Sequence, residues 1–246
     1  VVDAHAVAVA DLAGEAGCGL HTHFHPRQDE RDAYGGGRPI NLLVEQGWIR
    51  PGTWFAHSTN LDAEDIALVV ENGVGIAHCP HTIVRLGYGL APIGAMRAAG
   101  VKLGIGVDGA ASNDTGGMLG DVRLAMLLHR IGRRPDADPP SAWMTPYDTL
   151  KLATRGGADV LGRDDIGRIA PGTCADIVAF PLNRLSCAGA VADPLGALLM
   201  SGTDPYAAMT MVNGIVRVRN GAFVDIDEAA VIGNLNAAAS RMLQQA

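Results

Sequence analysis

The sequence predicts an α/β protein made of parallel β/α units arranged as a barrel, followed by a small β appendage. Three observations lead there. Short apolar runs alternate with amphipathic segments through short connections. Successive runs end in a polar residue: His21 and His23, then His57, then His78, then Asp108. From about Ile166 the texture changes to short strand-like runs punctuated by Gly and Asn. A barrel gathers the C-terminal ends of its strands around one mouth, so polar residues at those ends converge. A doubly wound open sheet also fits the alternation, but it needs a phosphate loop or a switch-point crevice. No GxxxxGK occurs.

In order, "VVDAHAVAVADLAGEAG" is a helix whose apolar positions are interrupted by Asp3, His5, Asp11 and Glu15. With no basic leading region it is neither signal peptide nor membrane span. It lacks an initiator Met, so the chain is expected to be part of a longer protein. "CGLHTHF" is a strand, followed by the Gly-rich loop "YGGGRP" and the helix "INLLVEQG", ended by Gly47. "TWFAH" is a buried strand. "DAEDIALVVENG" is a helix with Asp62 as N-cap and Gly73 past its end. "VGIAH" is a strand, "APIGAMRAAG" a helix and "VKLGIGVD" a strand. "GMLGDVRLAMLLHRIG" is an amphipathic helix carrying a structural His129, and "RRPDADPP" is a surface connection. "TPYDTLKLATRGGADVLG" is a helix capped by Thr145 with Pro146 at its first position. The strands "IGRIAPGTCADIVAF" and "AMTMVNGIVRVRNGAF" form the appendage, and the segment from Glu228 is a helix or tail.

Composition narrows the function. At 246 residues and 48% hydrophobic the chain buries a sizeable core. Nineteen Lys and Arg against 26 Asp and Glu give a net charge of -7, the wrong sign for tracking phosphates, so nucleic acid is not an expected partner. Cys18, Cys79, Cys174 and Cys187 are far apart and form no CxxC, which points to reduced thiols and a cytoplasmic protein. No membrane partner is expected.

"GLHTHFHPRQDE" places His21, His23 and His25 at alternate positions. In a strand, alternate residues share a face, so these imidazoles converge on one point. That is the start of a metal site. A polar strand end with hydrogen-bonded histidines fits this stretch equally well.

The motifs "LHTHF", "WFAHSTNLD", "IAHCPHTIVRLGYGLAPI", "GIGVDGAASND" and "ATRGGADVLGRDDIGRIAPGTCADIVAF" resemble the C-terminal half of the amidohydrolase superfamily, within it the cytosine/guanine deaminase-like aminohydrolases. The "GVDGAASND" and "LSCAGAVADPLGALL" stretches are most similar to the 8-oxoguanine deaminase branch, with hydroxylated-triazine and pterin aminohydrolases as neighbours. The resemblance implies the C-terminal half of a (β/α)8 TIM-like barrel over residues 1–165 and a small β-sandwich appendage with a C-terminal helix over residues 166–246. It also implies hydrolytic removal of an exocyclic amine from a purine-like, pterin-like or triazine ring, one divalent metal, zinc or iron, and a homodimer.

Residue by residue, it makes His23 and Asp108 metal ligands and His57 the catalytic histidine. Zinc accepts imidazole nitrogen and carboxylate oxygen and lowers the pKa of water toward ~7, and a carboxylate beside that water moves its proton. His21 is expected behind the ligands or against a neighbouring element. His78, Arg85 and Asn113 are the candidate substrate contacts. For His78 structural support is the alternative, and for Arg85 a solvated loop position. Ser112 and Asn113 either fix Asp108 or cap the next helix.

Two departures follow. The family's HxH pair, which ends the first barrel strand and supplies two further ligands, lies upstream of anything in this sequence, and His23 and Asp108 alone leave a zinc ion with too few protein ligands. The Glu usually found three residues after the fifth-strand ligand is Pro26, so the ring-protonating acid must come from elsewhere. Glu30 is the first choice and His25 the second; a surface pairing of Glu30 with Arg27 or Arg31 is the bland alternative. A non-catalytic homologue, or hydrolysis of a cyclic amide or a ring chlorine, are the competing functions. A barrel without its first strands is expected to expose two sheet edges and to associate.

Overall fold

The computed structural model describes residues 4–24, 37–131, 143–190, 192–201 and 206–244. Four strands, β1 (Leu20–Phe24), β2 (Thr53–His57), β3 (Gly75–His78) and β4 (Lys102–Ile105), form one parallel sheet in the order β1-β2-β3-β4. Phe24 pairs with His57, Ala56 with Ala77, and His78 with Ile105, so the C-terminal ends of the strands stand level. The polar strand-end residues therefore share one rim.

Helix α1 (Ala4–Glu15) precedes β1; α2 (Pro39–Glu45), α3 (Ala63–Glu71), α4 (Pro80–Leu86) and α5 (Ile93–Ala99) lie between successive strands, and α6 (Met118–Leu128) follows β4. Phe55, Ile76, Val69, Ile93 and Met96 are essentially inaccessible and form the main core with Leu103 and Ile66. Each such side chain contributes about 1.5–3 kcal/mol of transfer free energy. Parallel strands buried on both faces need continuous apolar runs, which is why β2 and β3 carry them.

Helix starts follow local chemistry. Asp62 accepts from the Asp65 amide at 2.8 Å while Asp65 accepts from the Asp62 amide, a reciprocal capping box opening α3. Thr145 and Asp148 do the same for α7 (Pro146–Lys151), with Pro146 at its first turn. A π-helical turn, Leu152–Gly156, follows α7 and leads into α8 (Gly157–Leu161). Gly156 lies flat on β4: a Cβ there would stand 2.0 Å from the Leu103 carbonyl oxygen.

Two local expectations are corrected. The loop position offered as the alternative for Arg85 is instead helix α4: Pro80 fixes its first turn and Gly87, at φ 68°, ends it in the left-handed region. Of "IGRIAPGTCADIVAF", only Ile177–Ala179 is strand. The run Gly104–Gly109 has the GxGxxG spacing, but it crosses the end of β4 into a loop and α6 begins only at Met118, so no phosphate-binding helix start forms there.

A second, antiparallel sheet contains β5 (Ile177–Ala179), β6 (Met209–Val212), β7 (Ile215–Arg219) and β8 (Ala222–Phe223), in that order. Asn213-Gly214 and Asn220-Gly221, all at positive φ, make its two tight hairpins. Between β5 and β6, α9 (Pro194–Gly196) runs into a turn, Ala197–Ser201, that buries Leu199 against Val122, Ala125 and Met126 of α6. The last helix, α10 (Glu228–Gln244), buries none of its residues. No described helix is long and apolar enough to cross a membrane.

Candidate metal centre

β1, β2 and the loop leaving β4 each deliver one side chain to a single point on the rim. A nitrogen of His23, a nitrogen of His57 and a carboxylate oxygen of Asp108 lie within 4.8 Å of one another, the set among the described residues able to hold a metal ion. His23 Nε2 is 3.4 Å from Asp108 Oδ1 and His57 Nε2 is 3.8 Å from Oδ2. The two imidazole rings stack at 5.3 Å.

Backbone strain aims two of these groups. His57 has φ 71° and Asp108 φ 61°, the left-handed region that non-glycine residues rarely enter. Ser58 follows at φ 50°, and its amide donates to the Phe24 carbonyl at 2.7 Å, which ties the turn after β2 to the end of β1.

Asp108 is held by hydroxyls. Thr82 Oγ1 donates to Oδ2 at 2.8 Å and Ser112 Oγ to the same oxygen at 2.7 Å. Burial alone would raise the carboxyl pKa, but these donors, the Gly109 amide and the nearby His57 more than reverse it and bring it down to about 2. Asp108 is thus an anion at any ordinary pH, the form a metal binds. Cys79, beneath it, is a neutral thiol: burial, then Asp108, pushes it up to about 12, although the backbone of His57 opposes the shift.

The remaining predicted residues divide by position. His21 stacks on Trp54 at 3.5 Å with Nδ1 3.1 Å from the Trp54 carbonyl oxygen, behind His23 rather than in the cluster. His78 is 1% exposed and its Nε2 lies 3.1 Å from that of His129, so it is aimed into the protein and not at the rim. Asn113 is also buried: its amide nitrogen donates to the Val107 carbonyl at 2.9 Å and to Asp121 at 2.7 Å, and its oxygen accepts from Thr115. Both side chains, named as candidate substrate contacts, are thus engaged with partners inside the protein. Neither Ser112 nor Asn113 caps α6, whose N-cap is Gly117, with no side-chain hydrogen bond there. Arg85 sits in the last turn of α4, exposed and paired with Asp114. Glu30, His25 and Pro26 lie outside the described residues.

Thr82 and the pair His81 and Asp121 were not legible in the sequence. Asp121 is fully buried and accepts from the His81 amide at 3.1 Å, with His81 Nδ1 also 3.1 Å away. These contacts join α4 to α6, and no spacing rule anticipates them. A cleft of about 820 Å³ at the opposite end of β4, lined by Arg97, Lys102, Asp148 and Asp159, shares no residue with this centre.

The Amidohydrolase family profile matches residues 1–223. The chain belongs to that family. An 8-oxoguanine deaminase from Pseudomonas aeruginosa is 41% identical to this amidohydrolase chain over 239 residues, 96% of the chain and 51% of that protein. Hydroxydechloroatrazine ethylaminohydrolase from Pseudomonas sp. strain ADP is 40% identical over 220 residues, 89% of the chain and 45% of that protein. The solved structure of an adenosine deaminase from Xanthomonas campestris with bound zinc superposes with a TM-score of 0.90 at 29% identity, covering 99% of this chain and 55% of that one. The amidohydrolase chain thus spans about half the length of the curated relatives it matches.

Proposed function

We propose that this chain carries the metal- and proton-handling part of a hydrolytic deaminase that removes an exocyclic amine from a purine-like heterocycle of the 8-oxoguanine type. The convergence of His23, His57 and Asp108 within 4.8 Å carries this reading. Two imidazoles and an ionised carboxylate suit zinc, with iron the alternative. In this reading His23 and Asp108 are ligands, His57 stays beside them, and further ligands come from outside these 246 residues. When bound, the metal supplies Lewis acidity and lowers the pKa of water to ~7.

The chain's own groups do the rest. Asp108 takes a proton from the attacking water and returns it to the departing ammonia. His57 donates to the oxygen that becomes negative as water adds to the ring carbon. Glu30 protonates the ring nitrogen. Water and the amine yield a ring carbonyl and ammonia: the ring nitrogen keeps the proton from Glu30, and the second proton of the water returns to Glu30 as the carbonyl forms, so atoms and protons balance. Arg85 offers a planar donor fork to a heterocycle carbonyl, with His78 and Asn113 supporting from behind. We read the parallel sheet, within residues 1–165, as an arc of a (β/α)8 barrel and the antiparallel sheet, within 166–246, as part of a β-sandwich. A cytoplasmic homodimer is the accompanying expectation.

The 40% identity to an ethylaminohydrolase favours a second reading, an N-ethylamino triazine as substrate. The complete protein bearing this chain should release ammonia from 8-oxoguanine and contain about one zinc or iron, lost in a His23→Ala, Asp108→Ala double variant. Ethylamine release from a hydroxylated ethylaminotriazine without ammonia from 8-oxoguanine selects the second reading. Unchanged metal in the double variant overturns both.

A further inference from the structure

Given the metal reading above, we propose that Thr82 is a positioning residue for Asp108: with Ser112 it occupies one carboxylate oxygen and so commits the other to the metal. A helical threonine commonly turns its hydroxyl back to a carbonyl one turn earlier. Thr82 does not. From the first turn of α4 its hydroxyl reaches Asp108 Oδ2 at 2.8 Å and Ser112 Oγ at 3.1 Å, and the residue is 1% exposed. Ser112 Oγ reaches the same Oδ2 at 2.7 Å from the other side, across the loop after β4.

A carboxylate oxygen has two lone-pair directions, and two hydroxyl donors fill both on Oδ2. Oδ1 is left facing His23 Nε2, 3.4 Å away. A metal between them would meet a carboxylate unable to rotate without breaking two charge-assisted hydrogen bonds. Both hydroxyls come from elements that share no strand with His23, so orientation of the ligand is transmitted from α4 and the β4 exit loop to the rim. Losing an outer contact of this kind typically costs about 10–100-fold in metal affinity.

The test is the zinc dissociation constant of the complete protein, measured by competition with a chromophoric chelator, for the parent and for Thr82→Val, Thr82→Ser and Ser112→Ala. Thr82→Val keeps the shape and loses the donor. It should weaken zinc binding about ten-fold or more, with Ser112→Ala shifting it in the same direction. Thr82→Ser restores the donor and should return affinity to near the parent value, a rescue that lost packing would not produce. If Thr82→Val proves unstable, Thr82→Ala read against Thr82→Ser makes the same comparison, donor lost against donor kept. Parent-like affinity in Thr82→Val and Ser112→Ala, or no rescue by serine, overturns the role of Thr82 and leaves the functional reading standing. Zinc retained by the His23→Ala, Asp108→Ala double variant instead overturns that reading and this inference with it.

Discussion

His78 and His129 meet in the interior, Nε2 to Nε2, at 3.1 Å. A contact of this kind between two imidazoles needs one nitrogen protonated and the other bare, so at least one ring is a neutral acceptor. Burial, reinforced by His129 and His57, brings the His78 pKa from 6.5 down to about 3.

That depression sets the direction of acid sensitivity. As pH falls from 6.5 toward about 3, the unfolded chain takes up a proton on His78 that the folded chain refuses, so stability present above pH 6.5 is progressively lost. The slope from this one group is at most about 1.4 kcal/mol per pH unit. Urea unfolding between neutral and mildly acidic pH should show this loss, and His78→Gln should flatten it. An unchanged slope in the variant would assign the acid sensitivity to other groups.

Gly156 and Gly157 make a matched pair. A Cβ on Gly156 would meet the Leu103 carbonyl oxygen at 2.0 Å, whereas one on Gly157 would meet nothing within 4 Å. Gly156→Ala should therefore destabilise by about 1–3 kcal/mol or more through overpacking against β4. Gly157→Ala should be neutral or stabilising by up to about 1 kcal/mol, from helix propensity. Thermal unfolding midpoints moving the same way in both variants would contradict the observed packing.

Thr145 opens α7 through a capping box with Asp148, accepting from the Asp148 amide at 3.1 Å. Thr145→Ala should cost ~1 kcal/mol in denaturant unfolding. Thr145→Asp, which restores an acceptor, should recover most of it. A loss that Asp does not recover would mean the threonine acts by packing.

Glu30 is the proposed proton donor to the ring. In the complete protein Glu30→Gln should lower ammonia release at least about ten-fold with metal content intact, since a positioned acid contributes ~10²–10⁴-fold. Parent-like turnover in Glu30→Gln with a slow His25→Ala would move the acid to His25.

Much of the rim was legible from residue order. Strand-end polar residues follow from the β/α period, and parallel strands starting at one level finish at one level, so His23, His57 and Asp108 could be brought together on paper. His78 obeys the same pattern yet points inward, because its fate depends on His129, 51 positions away, at the C-terminal cap of α6. Pattern gives a residue's position along a strand; a partner from a distant helix decides which way its ring turns.

The sequence by itself determined the β/α alternation, the helix caps at Asp62 and Thr145, the Asn-Gly hairpins and the strand-end placement of the candidate ligands, since each depends on residues within a few positions of one another. Only the tertiary structure decided the orientation of Asp108, the strained backbone at His57, the burial of Asn113 and the close passage of Gly156 over Leu103. The physical reason is range. Capping and turn preferences act through local dihedrals and single hydrogen bonds, whereas those four features arise where packed elements bring residues tens of positions apart into contact, or hold a strand end in a conformation its own side chain disfavours.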